Sequence, residues 1–209
     1  MQFKQIGILN IGHGNVTGLY YVLKEIGFTP ILIENYDQLK DLTNLIIPGV
    51  GSFLKAMNNI ENLGLRTPLQ EFINSDRKKV LGICLGMQIG LDVGFENGKA
   101  HGLSLIEGSV QSLTQIETSL KIPHVGWNSV RVTNNCHELN IKEDDYFYFN
   151  HSYFCNVENE LHILGYTYYG KEFPSIINKG NFLGVQFHPE KSLRTGAKFL
   201  ETTFKYEIN

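Results

Sequence analysis

The sequence predicts an α/β fold, a mostly parallel central sheet flanked by helices and extended by antiparallel strands. Two observations predict it. Over the first hundred residues short apolar runs alternate with helix-spaced patterns, as in βαβ units. After about Gly102 strand-like runs follow one another with turn residues between them and few helical patterns, as antiparallel strands do. The 209 residues fit a single domain, 1–209.

The elements follow in order. Ile6–Ile11 is a short apolar run that reads as the first strand. Leu19, Val22, Leu23 and Ile26 then recur at helical spacing, and Gly27 suits a helix C-terminus. Pro30–Ile33 and Asn44–Ile47 read as buried strands, and Lys79–Ile83 as a fourth. Leu85–Leu91 is expected to continue as a helix. In the second half Leu105–Leu113, Ser129–Val132, Tyr146–Phe149, His162–Tyr168, Ser175–Asn178 and Phe182–Phe187 read as strands. Thr195–Phe204 closes the chain as a helix. No internal repeat or linker interrupts it.

Composition excludes several classes. Eighteen basic against 21 acidic residues give a net charge of −3, which lacks the basic surplus of a nucleic-acid protein. A 42% hydrophobic and 19% charged makeup is that of an ordinary globule rather than a disordered chain. The cysteines, Cys84, Cys136 and Cys155, show no paired or zinc-type spacing, so reduced thiols are expected and neither a metal nor another cofactor. The N-terminus lacks a signal-peptide core, and no apolar run approaches membrane-span length. A cytoplasmic protein is expected, with neither membrane nor nucleic acid as a partner.

Gly82-Ile83-Cys84-Leu85-Gly86, where an apolar strand meets a helix-like run, has the form of a nucleophile elbow with cysteine as nucleophile. Glycines two residues to either side relieve the collisions that so sharp a turn creates. The following helix would favour thiolate at Cys84, and the Leu85 amide would face a developing oxyanion. A GxCxG alone fits a buried structural cysteine equally well. A nucleophile needs a base and the base an orienting group. His188 follows the apolar strand end Val185-Gln186-Phe187, at the edge where open α/β sheets place their sites. Glu190, two residues on past Pro189, can accept the imidazole N–H and leave the other nitrogen to Cys84. Pro48-Gly49-Val50-Gly51-Ser52 follows the strand Asn44–Ile47 and offers amides for a second oxyanion donor, although any strand-to-helix turn can be spelled this way.

Together, IPGVGSF at 47–53, LGICLGMQ at 81–88 and GVQFHPEKS at 184–192 resemble the cysteine-triad, class I glutamine amidotransferases, whose domain fold is then expected over the whole chain. Gly12–Asn15, KIPHVGWNSV at 121–130 and FNHSYF at 149–154 narrow the likeness to the glutaminase subunits of imidazole glycerol phosphate synthases. The resemblance implies Cys84 as nucleophile, His188 as acid–base and Glu190 as its orienter. It implies oxyanion donors at Val50, Gly51 and Leu85, and a glutamine pocket at Gly51, Gln88 and His151-Ser152-Tyr153, where His151 shapes the wall rather than acting as a base. It implies a (β/α)₈ barrel cyclase as partner in a heterodimer, receiving ammonia across a face near Asn15, Trp127 and Lys191. The chain departs from the pattern at Asn10-Ile11-Gly12, at His13, at Asn150 and at Leu193-Arg194-Thr195-Gly196. The changed N-terminal loop lies on the side expected to meet the partner, which leaves open a paralogous glutaminase that supplies ammonia for amidating an N-acetyl sugar. A non-catalytic binding module and an independent cysteine hydrolase are the other readings that intact Cys84, His188 and Glu190, with Gln88 and the HPEK tail, argue against.

Overall fold

The computed structural model describes residues 4–12, 14–115, 121–133 and 137–205. His13 and Cys136 lie outside the described residues. The first half runs β1 (Gln5–Leu9), α1 (Val16–Glu25), β2 (Thr29–Ile33), β3 (Asn44–Ile47), α2 (Phe53–Asn62), α3 (Arg66–Asn74), β4 (Lys79–Ile83) and a single helical turn, α4 (Leu85–Gln88). Short strands follow: β5 (Leu91–Gly94), β6 (Ala100–His101), β7 (Ile106–Ser112), β8 (His124–Ser129) and β9 (Arg131–Val132). The chain ends with β10 (Tyr146–His151), β11 (Tyr153–Val157), β12 (Ile163–Tyr169), β13 (Lys171–Lys179), β14 (Phe182–Val185) and α5 (Leu193–Lys205).

Among the described residues the main sheet has the order β2-β1-β3-β4-β14-β13-β12-β9. The first five of these strands are parallel to their neighbours, and the last three are added antiparallel. This is the mixed α/β architecture that the sequence predicts. Both faces of the parallel part are buried, and the side chains alternate between two cores. Ile8, Ile46, Leu81 and Val185 enter the core against α1 and α5, whereas Leu9, Ile47, Val80 and Phe182 enter the core against α2 and α3. The strands therefore read as continuous apolar runs. Pro30 fits because β2 is an edge strand and lacks a neighbour that would need its N–H. Helix α5 buries Gly196, Phe199, Leu200, Thr203 and Phe204, one stripe at helical spacing.

Two smaller sheets, β10-β8 and β11-β7-β5-β6, sit beside the main one. Here the structure corrects the sequence reading. The helix expected over Leu85–Leu91 is one turn long, because β5 begins at Leu91 and pairs with β7. The strand expected at Ser129–Val132 is two pieces, β8 ending at Ser129 and β9 beginning at Arg131. Strands β5, β6 and β11 went unread.

Candidate active site

Cys84 stands at the C-terminal end of β4, with φ 52° and ψ −104°. Positive φ in a residue with a Cβ is strained by about 1–3 kcal/mol and persists only where the surroundings enforce it. The enforcement is visible. The Cys84 amide donates to Val185 O at 2.7 Å, and Cys84 O accepts from the amides of Met87 and Gln88 at 3.1 Å each. The glycines are there for space: a Cβ on Gly82 would lie 2.5 Å from Gly86 O, and one on Gly86 only 1.8 Å from Ile47 O. With α4 a single turn, little macrodipole acts on the sulfur. What remains is local, since the first amides of α4, Leu85 included, have no acceptor within the turn.

β14 is the parallel neighbour of β4, with Val185 opposite Ile83, so the chain leaving β14 passes beside Cys84. His188 lies there, almost fully buried. Its Nδ1 is 3.0 Å from Glu190 Oε1, and both side chains are buried. The backbone around it is fixed by β10: His188 N donates to Tyr148 O at 2.8 Å, while Ser192 Oγ donates to His188 O at 2.7 Å and accepts from Tyr148 N at 2.9 Å. Burial alone would lower the His188 pKa. Attraction to Cys84, as charge and as hydrogen-bond acceptor, and then to Glu190 outweighs it and pushes the value up to about 10. Nε2 nevertheless has no partner with full hydrogen-bond geometry. The charge attraction is the sturdier of the two Cys84 contributions, because it tolerates the imperfect angle. The result is a buried imidazole with Nδ1 held by a carboxylate and Nε2 left for chemistry.

The PGVG loop lies directly against this elbow. A Cβ on Gly49 would be 2.6 Å from Leu85 Cβ and 2.9 Å from Gly86 N, so Gly49 is required for the two loops to meet. Gly51 has φ +115°, and Val50 and Gly51 are exposed. Ser52 caps α2 through Lys55 N, and Glu96 Oε2 accepts from Phe53 N at 2.8 Å. Gln88, buried, donates from Nε2 to Tyr153 O at 3.0 Å and to Gln186 Oε1 at 3.1 Å. Gln186 Nε2 in turn donates to Cys84 Sγ at 3.4 Å. Of the predicted pocket residues, Gln88, His151 and Tyr153 are thus tied into one wall, and Ser152 between the last two accepts from Leu113 N at 2.9 Å.

His151 is not a free base. Its Nδ1 is 2.8 Å from Tyr153 O and its Nε2 is 3.0 Å from His124 Nδ1. Burial leads in lowering both histidines, His124 to about 4 and His151 to about 3, so both are neutral at pH 7. His124 stacks between Phe149 and Tyr169 at centroid distances of 4.9 and 4.1 Å. The residues expected at a partner face also come together. Trp127 meets Tyr148 edge-on at 6.0 Å, Lys191 Nζ lies 5.7 Å from the Tyr148 ring, and Asn15 caps α1, which packs against the turn carrying Lys191. Sequence reasoning missed Gln186, Glu96, His124 and Tyr148. A glutamine inside an apolar strand end was the one signal available for Gln186. Cys155, by contrast, is wholly buried, and burial first, then Cys84, pushes its thiol pKa far up. Among the described residues no group of three or more His, Cys, Asp or Glu is placed to hold a metal ion.

The class-I glutamine amidotransferase family matches residues 8–206. The imidazole glycerol phosphate synthase subunit HisH of Desulfitobacterium hafniense (strain DSM 10664 / DCB-2) is 39% identical over 202 residues, covering 96% of this chain and 94% of that protein. Its counterpart from Methanocaldococcus jannaschii is 41% identical over 200 residues, covering 94% and 96%. Among solved structures, a glutamine amidotransferase superposes with TM-score 0.73 at 18% identity over 95% of this chain and 98% of the other. PurLQS from Thermotoga maritima gives 0.71 at 16% over 97% and 98%. At that identity the two structures speak for the fold alone.

Proposed function

Because the chain belongs to the class-I glutamine amidotransferase family, we propose that it is the glutaminase subunit of an imidazole glycerol phosphate synthase in histidine biosynthesis. The observation that carries this is the arrangement of Cys84, His188 and Glu190 in a chain akin to HisH proteins over nearly its whole length. That these relatives are named as imidazole glycerol phosphate synthase subunits favours it over sugar amidation.

Cys84 Sγ attacks the side-chain amide carbon of glutamine, forming a C–S bond and an oxyanion. The Leu85 amide and one from Val50–Gly51 stabilise that charge. The His188 imidazolium gives its Nε2 proton to the departing nitrogen, and ammonia leaves as the C–N bond breaks. Neutral His188 then takes a proton from water, which attacks the thioester and releases glutamate, restoring the thiolate–imidazolium pair. Glu190 keeps the imidazole in the tautomer this cycle needs. Gly51, Gln88 and the His151–Tyr153 wall hold the substrate, and Glu96, fixed beside the PGVG loop, supplies a carboxylate for its α-ammonium. Free ammonia is protonated in bulk water, so a closed passage to a cytoplasmic (β/α)₈ cyclase subunit is required. Trp127, Tyr148, Lys191 and Asn15 form the face for that subunit.

The test is glutamate release from glutamine by the chain alone and by the chain with the barrel subunit and its acceptor ligand. Turnover is expected to rise by orders of magnitude in the complex, and Cys84→Ala to abolish it while ammonium salt still supports product. Full turnover by the chain alone, or glutamine turnover surviving Cys84→Ala, would sink the reading.

A further inference from the structure

We propose that Gln186 is a positioning residue for the nucleophile: its side-chain amide donates to Cys84 Sγ, and a chain of hydrogen bonds beginning at one backbone carbonyl fixes that orientation. The inference rests on Cys84 being the glutaminase nucleophile.

The orientation follows from donor and acceptor counting. Tyr153 O can only accept. It receives Gln88 Nε2 at 3.0 Å, which fixes the rotation of the Gln88 amide. The same Nε2 donates at 3.1 Å to Gln186, so the Gln186 atom there must be Oε1. Its NH₂ group is left pointing at Cys84 Sγ, 3.4 Å away. Flipping Gln186 would set two NH₂ groups against each other and turn an oxygen toward the sulfur. Tyr153 O also receives His151 Nδ1 at 2.8 Å, which leaves His151 Nε2 to accept from His124 Nδ1 and His124 Nε2 to accept from Asn128 Nδ2 at 3.3 Å. One carbonyl therefore sets the protons of Gln88, Gln186, His151 and His124 together. Gln186 is wholly buried and Gln88 nearly so, so water does not compete.

A fixed N–H donor favours sulfur as thiolate over sulfur as thiol, because a hydrogen bond to an ion is the stronger one. The bond needs no proton transfer and so leaves His188 Nε2 available. Besides the His188 imidazole, the sulfur's remaining polar contact is an acceptor, Asn150 O at 3.9 Å. It can take only a thiol hydrogen, and from that distance weakly. The pair of contacts is unequal in favour of the ion.

The experiment is site-resolved alkylation of Cys84 with iodoacetamide as a function of pH, read by mass spectrometry on the full chain. Gln186→Met keeps the volume without the donor. Gln186→Glu keeps an acceptor for Gln88 but replaces the donor with a charge that repels thiolate. In both, the midpoint of the Cys84 profile is expected to rise. The rate at pH 7 is expected to fall roughly tenfold or more, and more in Gln186→Glu. In the complex, kcat is expected to fall in proportion with KM for glutamine little changed. An unshifted profile in a folded Gln186→Met variant overturns the inference. In the wild-type chain, the Gln186 side-chain amide resonance is expected to move at the alkylation midpoint of Cys84. A resonance indifferent to the thiol overturns the inference even where the variants fail to fold. Alkylation needs no glutamine turnover: a complex inactive on glutamine counts against the glutaminase reading, an unshifted profile only against Gln186.

Discussion

At His188 burial and charge pull in opposite directions, and Cys84 is the heavier of the two opposing partners. Removing the sulfur should therefore release the imidazole. In Cys84→Ala the His188 pKa is expected to fall well below about 10, followed by imidazole NMR across pH 5–11. The corresponding stability has a definite sign. A histidine whose folded value is raised contributes fully below its unfolded value of about 6.5, and the contribution disappears as pH rises through the folded value. Wild-type stability should accordingly decline toward pH 10, and less steeply in the alanine variant. Glu190→Gln keeps the shape but can present an N–H to Nδ1, which favours the wrong tautomer. A loss of roughly 10³–10⁴ in kcat is expected in glutamine hydrolysis, by analogy with the triad aspartate. His124 and His151 carry the opposite sign. Their values are lowered, so the unfolded chain binds protons that the folded chain refuses once pH drops below about 6.5. On the acid side urea midpoints should fall from about pH 6.5 toward 4. His124→Phe, which keeps the stack on Phe149 and Tyr169, should make that slope shallower.

Strands and turns show where the sequence could be read and where it could not. The elbow was legible because its glycines answer a steric demand within five residues: the positions that need an absent Cβ are Gly82 and Gly86, flanking Cys84. Gly86→Ala would drive a methyl into Ile47 O, and a loss of about 3 kcal/mol or more is expected from urea unfolding, overpacking here meeting backbone rather than a movable side chain. His188 and Glu190 were legible for a similar reason, two groups on one stiff turn. The run after Leu85 was not. Leu85, Met87, Ile89 and Leu91 are apolar whichever way the chain turns, and periodicity cannot separate a buried helix from a buried strand in so short a stretch. The strand read at Ser129–Val132 catches only the last residue of β8, whose interior holds Gly126 at φ +140°, a residue type that interrupts a strand pattern in sequence. The roles of Gln186, beyond its odd place in an apolar strand end, and of Glu96 were out of reach for another reason. Their partners, Cys84 with Gln88 and Phe53, are distant in sequence, and only the closed sheet brings them together.

The molecule as a whole keeps its chemistry at one edge and its apolar display beside it. The two-stranded sheet β8–β10 shows Val125, Trp127 and Tyr146 to solvent, each about half exposed, on the same side as Tyr148 and near Lys191. Trp127→Ala is expected to weaken binding of the barrel subunit by about 2 kcal/mol, roughly thirtyfold in Kd by titration calorimetry, while Cys84 alkylation in the free chain stays unchanged. No helix among the described residues is long and apolar enough to cross a membrane. The sheet itself carries a further consequence. Cys84 and His188 leave adjacent central strands, β4 and β14, and the Cys84 amide is itself a rung between them. The nucleophile and the acid–base group are therefore not spaced by a surface loop that can open by itself. In deuterium-exchange terms, the Cys84 amide should be among the slowest in the chain, exchanging only through global opening. Heat inactivation should then follow loss of the whole fold, with no cooler step in which a folded protein has already lost its active site.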